Sequence, residues 1–256
     1  MTAVTVPAMR PASAHTSWHR IVTTARVHAA NPWTIIYSPW LILLAVFGLN
    51  YAIWQAILIA ADGKPLPDAA FTQNGGVSWV FVYMLVVAVQ AMNQTFSFVV
   101  GLGATRRDYF VGSAATFAAL SAMYGGGIAL LALVERATDG WGVNGAFFAP
   151  WGLSEIPVWE LAVIYTLALL FMFFAGSAVA AVFVRWGSTG LVMFFVVLAL
   201  LIVAVVFALT TTESWTAIGT FFTTNSLLAV SLYSVPVTLA CALVGWALMR
   251  RATPKG

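Results

Sequence analysis

Three of the few charged side chains in this sequence stand together, as Arg106, Arg107 and Asp108 in the stretch GLGATRRDYFVGS, residues 101–113. The planar fork of an arginine makes paired hydrogen bonds to carboxylates. A compact charged turn flanked by Gly101, Gly103 and Gly112, with Tyr109 and Phe110 returning at once to apolar sequence, is therefore a candidate protein-contact surface. Its simpler role is a charge anchor that fixes how the chain crosses a membrane. A second constellation is the polar face Gln90, Asn93, Gln94 and Ser97, which Tyr83 and Gly101 continue at helical spacing. Uncharged polar side chains inside such an apolar run either hydrogen-bond a neighbouring helix or line a wet path.

Other chemistry is thinly represented. No GxxxxGK[ST] occurs, so the sequence carries no phosphate-cradling loop. GLGATR begins like a dinucleotide fingerprint but lacks its third glycine, and an apolar helical run precedes it instead of a strand. His15 and His19 have i, i+4 spacing without a surrounding HExxH or a nearby carboxylate; with His28 they read as interfacial residues, not metal ligands. Ser154-Glu155 and Trp159-Glu160 lack the buried pairing that acid–base catalysis needs. Cys241 is the single cysteine, so no disulfide forms within the chain. The expectation is a chain with no catalytic residue, no metal and no bound cofactor of its own.

The elements that must position these residues follow from composition. The 256 residues are 62% hydrophobic and 7% charged, with a mean hydropathy of +0.95. Soluble domains carry about 25% charge, so this chain cannot clothe a water-soluble surface. Six segments are long enough to cross a hydrocarbon core, which takes roughly 20 helical residues: about 39–61, 77–101, 109–134, 158–184, 188–210 and 227–249. The expected fold is an all-α membrane protein. Residues 1–38 form a tail and an amphipathic interfacial helix, 39–249 a six-helix transmembrane domain, and 250–256 a basic tail. The interfacial helix, over 16–31, sets Trp18 among small apolar residues and Arg20 and Arg26 on another face, and Asn31-Pro32 ends it. The start of the chain has no apolar core of a signal peptide. In the third segment, Tyr124-Gly125-Gly126-Gly127 is either a weak point in the helix or a site of close packing.

Lysine and arginine placement orients the bundle. With both termini inside, nine of the eleven basic residues are cytoplasmic, leaving only Lys64 and Arg136 outside. GLGATRRDYFVGS is then the first cytoplasmic loop, between the second and third spans. No charged residue falls in the middle of a span, which argues against a proton-coupled carrier and against an intramembrane enzyme. Scarce lysine beside common alanine and arginine points to a GC-rich bacterial genome and hence to a bacterial inner membrane.

On these residues the chain resembles the membrane subunits of type-2 ABC exporters, the ABC transporter permeases. LGATRRDYFVGS resembles the turn between their second and third spans. The basic helix before the first span is similar to their elbow helix. TTESWTAIGTFFTTNSLL, residues 211–228, resembles their re-entrant external hairpin between spans five and six. The turn is shorter and less charged than a full coupling helix. The resemblance implies a permease that pairs with a second copy or a paralogue and with two cytoplasmic ATPase subunits. ATP and Mg would sit on those partners, and membrane lipid would surround the rest. It places Arg106, Arg107 and Asp108 at the ATPase contact, and nucleic acid has no part. The competing expectation is a polytopic scaffold or accessory protein without transport.

Overall fold

The computed structural model describes residues 32–67, 69–101 and 105–250. The proposed interfacial helix with Trp18, Arg20 and Arg26 lies outside the described residues, as does the tail beyond Arg250. Among the described residues every regular element is helical. A π-helical turn at Trp33–Tyr37 leads into α1, Ser38–Ala61. Then follow α2, Trp79–Gly101, and α3, Arg106–Ala137. The long α4 covers Val158–Thr211. Two short helices, α5 at Trp215–Thr224 and α6 at Leu227–Leu232, precede α7 at Ser234–Arg250.

Local chemistry sets these limits. Asp62 takes a left-handed conformation with φ 49° and closes α1 by donating its backbone N–H to Ile59 O. Thr105 caps α3, its side chain accepting from the Asp108 N–H at 3.1 Å. Pro157 stands just before α4, where its missing donor costs nothing. Inside the π-turn, the carbonyls of Thr34, Ile35 and Ile36 accept from tyrosines of other helices. Tyr83 donates to Thr34 at 2.9 Å, and Tyr124 reaches Ile35 at 2.8 Å and Ile36 at 3.1 Å.

The first half of α4 is the central post. Its buried side chains run from Leu161 through Tyr165, Leu169 and Phe173 to Val182. Helices α2, α3 and α7 pack against α4. Phe117 of α3 stacks on Phe173 with ring centroids 4.8 Å apart. A Cβ on Gly176 would stand 2.5 Å from Leu85 O of α2, so only glycine permits that approach.

Five helical stretches among the described residues are long and apolar enough to cross a membrane: Trp33–Ala61, Gly76–Phe96, Arg106–Ala137, Val158–Thr211 and Leu227–Arg250. The chain is a multi-pass membrane protein, all-helical among the described residues. Where the sequence suggests separate spans at 158–184 and 188–210, the helix is interrupted at one residue only. Gly187 has φ 69° and ψ −159°, a conformation that glycine adopts without a side-chain clash. On either side of it the run exceeds the length a bilayer requires. The halves differ sharply in cover: no residue from 188 to 211 is buried. The Thr- and Phe-rich segment after it folds as α5 and α6, and Phe221 packs edge-on to Tyr233 at 5.2 Å.

The tract Tyr124-Gly125-Gly126-Gly127 leaves α3 unbroken. A Cβ on Gly125 would meet Thr166 Oγ1 at 2.3 Å and its backbone nitrogen at 2.7 Å. One on Gly127 would lie 2.5 Å from the Trp40 ring. Of the two roles open to this tract, close packing is the one the structure displays.

Candidate functional site

At one end of the bundle the charged turn divides its labour. Arg107 is exposed. Arg106 is half-buried and donates from Nη1 to Arg250 O at 2.6 Å, tying the first turn of α3 to the last residue of α7. Asp108 is buried, with 3% of its surface exposed. It lies in the first turn of α3, where a carboxylate is favoured by the helix dipole. The three adjacent charges thus divide into one exposed arginine, one bridging arginine and one interior carboxylate. The next residue, Tyr109, is fully buried, and its hydroxyl lies 2.8 Å from Thr95 Oγ1. That bond clamps the start of α3 to the end of α2 behind the turn.

The polar face of α2 also divides. Gln90 and Gln94 are exposed, while Asn93 is half-buried. The Asn93 Oδ1 atom is buried without a hydrogen-bond donor, an expensive position for an amide oxygen. Ser97 lies on the same helix, but its side chain is outside what is described. Tyr83 turns to Thr34 and leaves the stripe. Along one ridge the exposed residues are Val82, Val86, Gln90, Gln94 and Phe98, spaced i, i+4. Two bare primary amides on a membrane helix need a partner or water.

The opposite end holds a feature that spacing alone did not reveal. Glu135, near the end of α3, is 3% exposed. Its Oε2 accepts from Trp141 Nε1 at 2.9 Å, Phe147 N at 2.8 Å and Phe148 N at 3.1 Å, and its Oε1 accepts from Ala149 N at 3.1 Å. The neighbouring Arg136 donates through Nη2 to the carbonyls of Leu153, at 3.1 Å, and Ile156. Side by side, these two residues hold both limbs of the loop between α3 and α4. The loop also adds to residues 71–74: Ala146 N donates to Phe71 O and Trp151 N to Thr72 O, each at 3.0 Å, while Asn74 Nδ2 donates to Ala146 O. Backbone at Asp139, Trp141, Asn144 and Trp151 has positive φ. Each such non-glycine residue carries strain that the surrounding bonds must hold in place. With four donors already on its carboxylate, Glu135 is a structural hub. The signal available in sequence was a Glu-Arg pair closing a span, followed by the glycine-rich, aromatic GWGVNGAFFAP.

One end therefore gathers Arg106, Arg185 and Arg250, and the other is closed by a hydrogen-bonded loop. The chain matches no protein-family model, no curated protein and no solved structure.

Proposed function

We propose that the chain is the transmembrane permease subunit of an ATP-driven export complex of the ABC type, working with a second copy or a paralogue and a pair of cytoplasmic ATPases. In this reading the chain lies in a bacterial inner membrane with six spans and both termini cytoplasmic. The observation that carries it is the linkage at the charged turn. Arg107 is open to a partner, while Arg106 joins α3 to α7 through Arg250 O. Helix α7 in turn rests on α4 beside Ser177 and Ala178, next to Gly245. A push on the turn would reach α2 and α3 directly and α4 through α7.

Two further features support a path made with a second membrane subunit. Gln90 and Gln94 are exposed on the helix that enters the turn, so they would move with it. Among the described residues, none from 188 to 211 is buried. Cargo that needs no buried counter-ion suits such a path, among them apolar drugs, peptides and lipids. ATP and Mg belong to the ATPase partners in this scheme.

Affinity purification of the tagged chain in mild detergent tests the reading. A stoichiometric ATPase is expected from the native membrane, and Arg107→Gln should reduce its recovery about tenfold, as loss of a desolvated charge contact does. Recovery of the chain without any ATPase would favour the scaffold or accessory role. An unchanged yield with Arg107→Gln would make that arginine a topology anchor only.

A further inference from the structure

We propose that the arginine-rich end carries a binding site for an anionic phospholipid, with the phosphodiester between Arg185 and Arg250 and an acyl chain along the apolar groove beside Trp186. Arg185 precedes the break in α4, and Arg250 ends α7. Together with Ala247 and Leu248 they line a cavity of about 450 Å³. Among the described residues neither guanidinium has a carboxylate partner, and each lies over an indole instead. Arg185 Cζ is 4.7 Å from the Trp186 ring centroid, and Arg250 Cζ is 5.7 Å from that of Trp246. Asp108, the acidic residue of this end among the described residues, is buried in α3.

Trp186, against whose ring Arg185 lies, lines a second cavity, of about 520 Å³, with Val182, Thr189, Met193, Phe194 and Val197. That groove forms where the chain departs from helical geometry at Gly187. Among the described residues, two guanidinium groups without a carboxylate partner thus line one cavity, and Arg185 is the residue before Trp186 of the apolar groove. A soluble phosphate would use the first cavity and leave the second unexplained. An amphiphile with an anionic head and a hydrocarbon tail uses both. Arginine forks bind phosphate oxygens in pairs, basic pockets between membrane helices accept anionic head groups, and tryptophan favours the head-group level. The site depends on the chain being in a membrane and is independent of any ATPase.

The test is native mass spectrometry of the purified full-length chain in detergent, titrated with phosphatidylglycerol and, separately, with phosphatidylcholine of the same acyl chains. Phosphatidylglycerol should bind at least about tenfold more tightly. Arg185→Gln with Arg250→Gln should weaken it about thirtyfold, and each single change about fivefold, with phosphatidylcholine binding unaltered. The single variants keep the test open if the pair does not fold. Arg107→Gln, outside the cavity, should leave lipid binding unchanged. Met193→Trp, which fills the groove, should weaken phosphatidylglycerol but not glycerol phosphate. Equal affinity for the two lipids, or full binding by the double glutamine variant, overturns the proposal. So does competition by inorganic phosphate at the lipid's own concentration, which would make the site one for a free anion.

Discussion

Glu135 shows what one side chain can decide. Its carboxylate gathers an indole N–H and three consecutive backbone amides, from Phe147 to Ala149. These amides belong to a loop whose backbone is left-handed at several non-glycine positions. Removing the acceptor would leave four donors to find partners in a buried site, each worth about 1–3 kcal/mol when unsatisfied. Glu135→Ala is expected to lower stability by about 3 kcal/mol or more, read as the thermal unfolding midpoint in detergent, and to open residues 138–157 to added protease. Glu135→Gln, with its oxygen in the Oε2 place, keeps three of the bonds and should lose only about 1–2 kcal/mol. Equal behaviour of the alanine variant and the native chain would deny the hub role. In the sequence no spacing marks Glu135 for this role, because its partners are backbone amides. Residue identity does not disclose where such amides point.

Helices meet through glycine as much as through large side chains. In α3, Gly125 faces the backbone of Thr166 in α4, Gly127 faces the Trp40 ring of α1, and Gly126 faces open space. Three adjacent residues of one type thus have different tasks, set by a rotation of about 100° per residue around the helix. Gly125→Ala should force α3 and α4 apart and cost about 1–3 kcal/mol. Gly126→Ala should be neutral or stabilising by about 0.5–1 kcal/mol, since alanine restricts the unfolded backbone. Unfolding midpoints of the two variants compare them directly, and equal losses would restore the tract as a point of weakness. The tract was legible as unusual, but its role waited on the neighbours. Gly187 is the reverse case. It ends the buried half of α4 and begins the bare half, within the short gap 185–187 between the segments 158–184 and 188–210.

The whole molecule is polarised. Arg106, Arg185 and Arg250 are drawn together at one end, through a hydrogen bond and a shared cavity. Glu135, Arg136 and residues 71–74 are joined at the other through the loop between α3 and α4. If the arginine end is cytoplasmic, as the positive-inside bias implies, a cysteine at Ala69 reacts with an impermeant thiol reagent in intact cells. One at Thr105 reacts only after the cells are opened. Both positions are exposed. The background is Cys241→Ala, and the lost helix cap at Thr105 costs only about 1 kcal/mol. Labelling of Thr105→Cys in sealed cells would invert the topology.

The sequence by itself determined the class. A chain that is 62% hydrophobic and 7% charged can satisfy its backbone in lipid only through helices or a closed barrel, and long apolar runs with helical punctuation select helices. It also marked long apolar runs that fold as helices long enough to cross a bilayer, because length against bilayer thickness is a one-dimensional constraint. Tertiary structure alone decided which charges stay exposed, since that depends on which faces the neighbouring helices cover. Arg107 points outward, Arg106 reaches another helix, and Asp108 is buried, though all three are adjacent in the chain. It alone decided that α4 has one packed half and one bare half, because nearly uniform hydrophobicity gives both halves the same pattern and only contact distinguishes them.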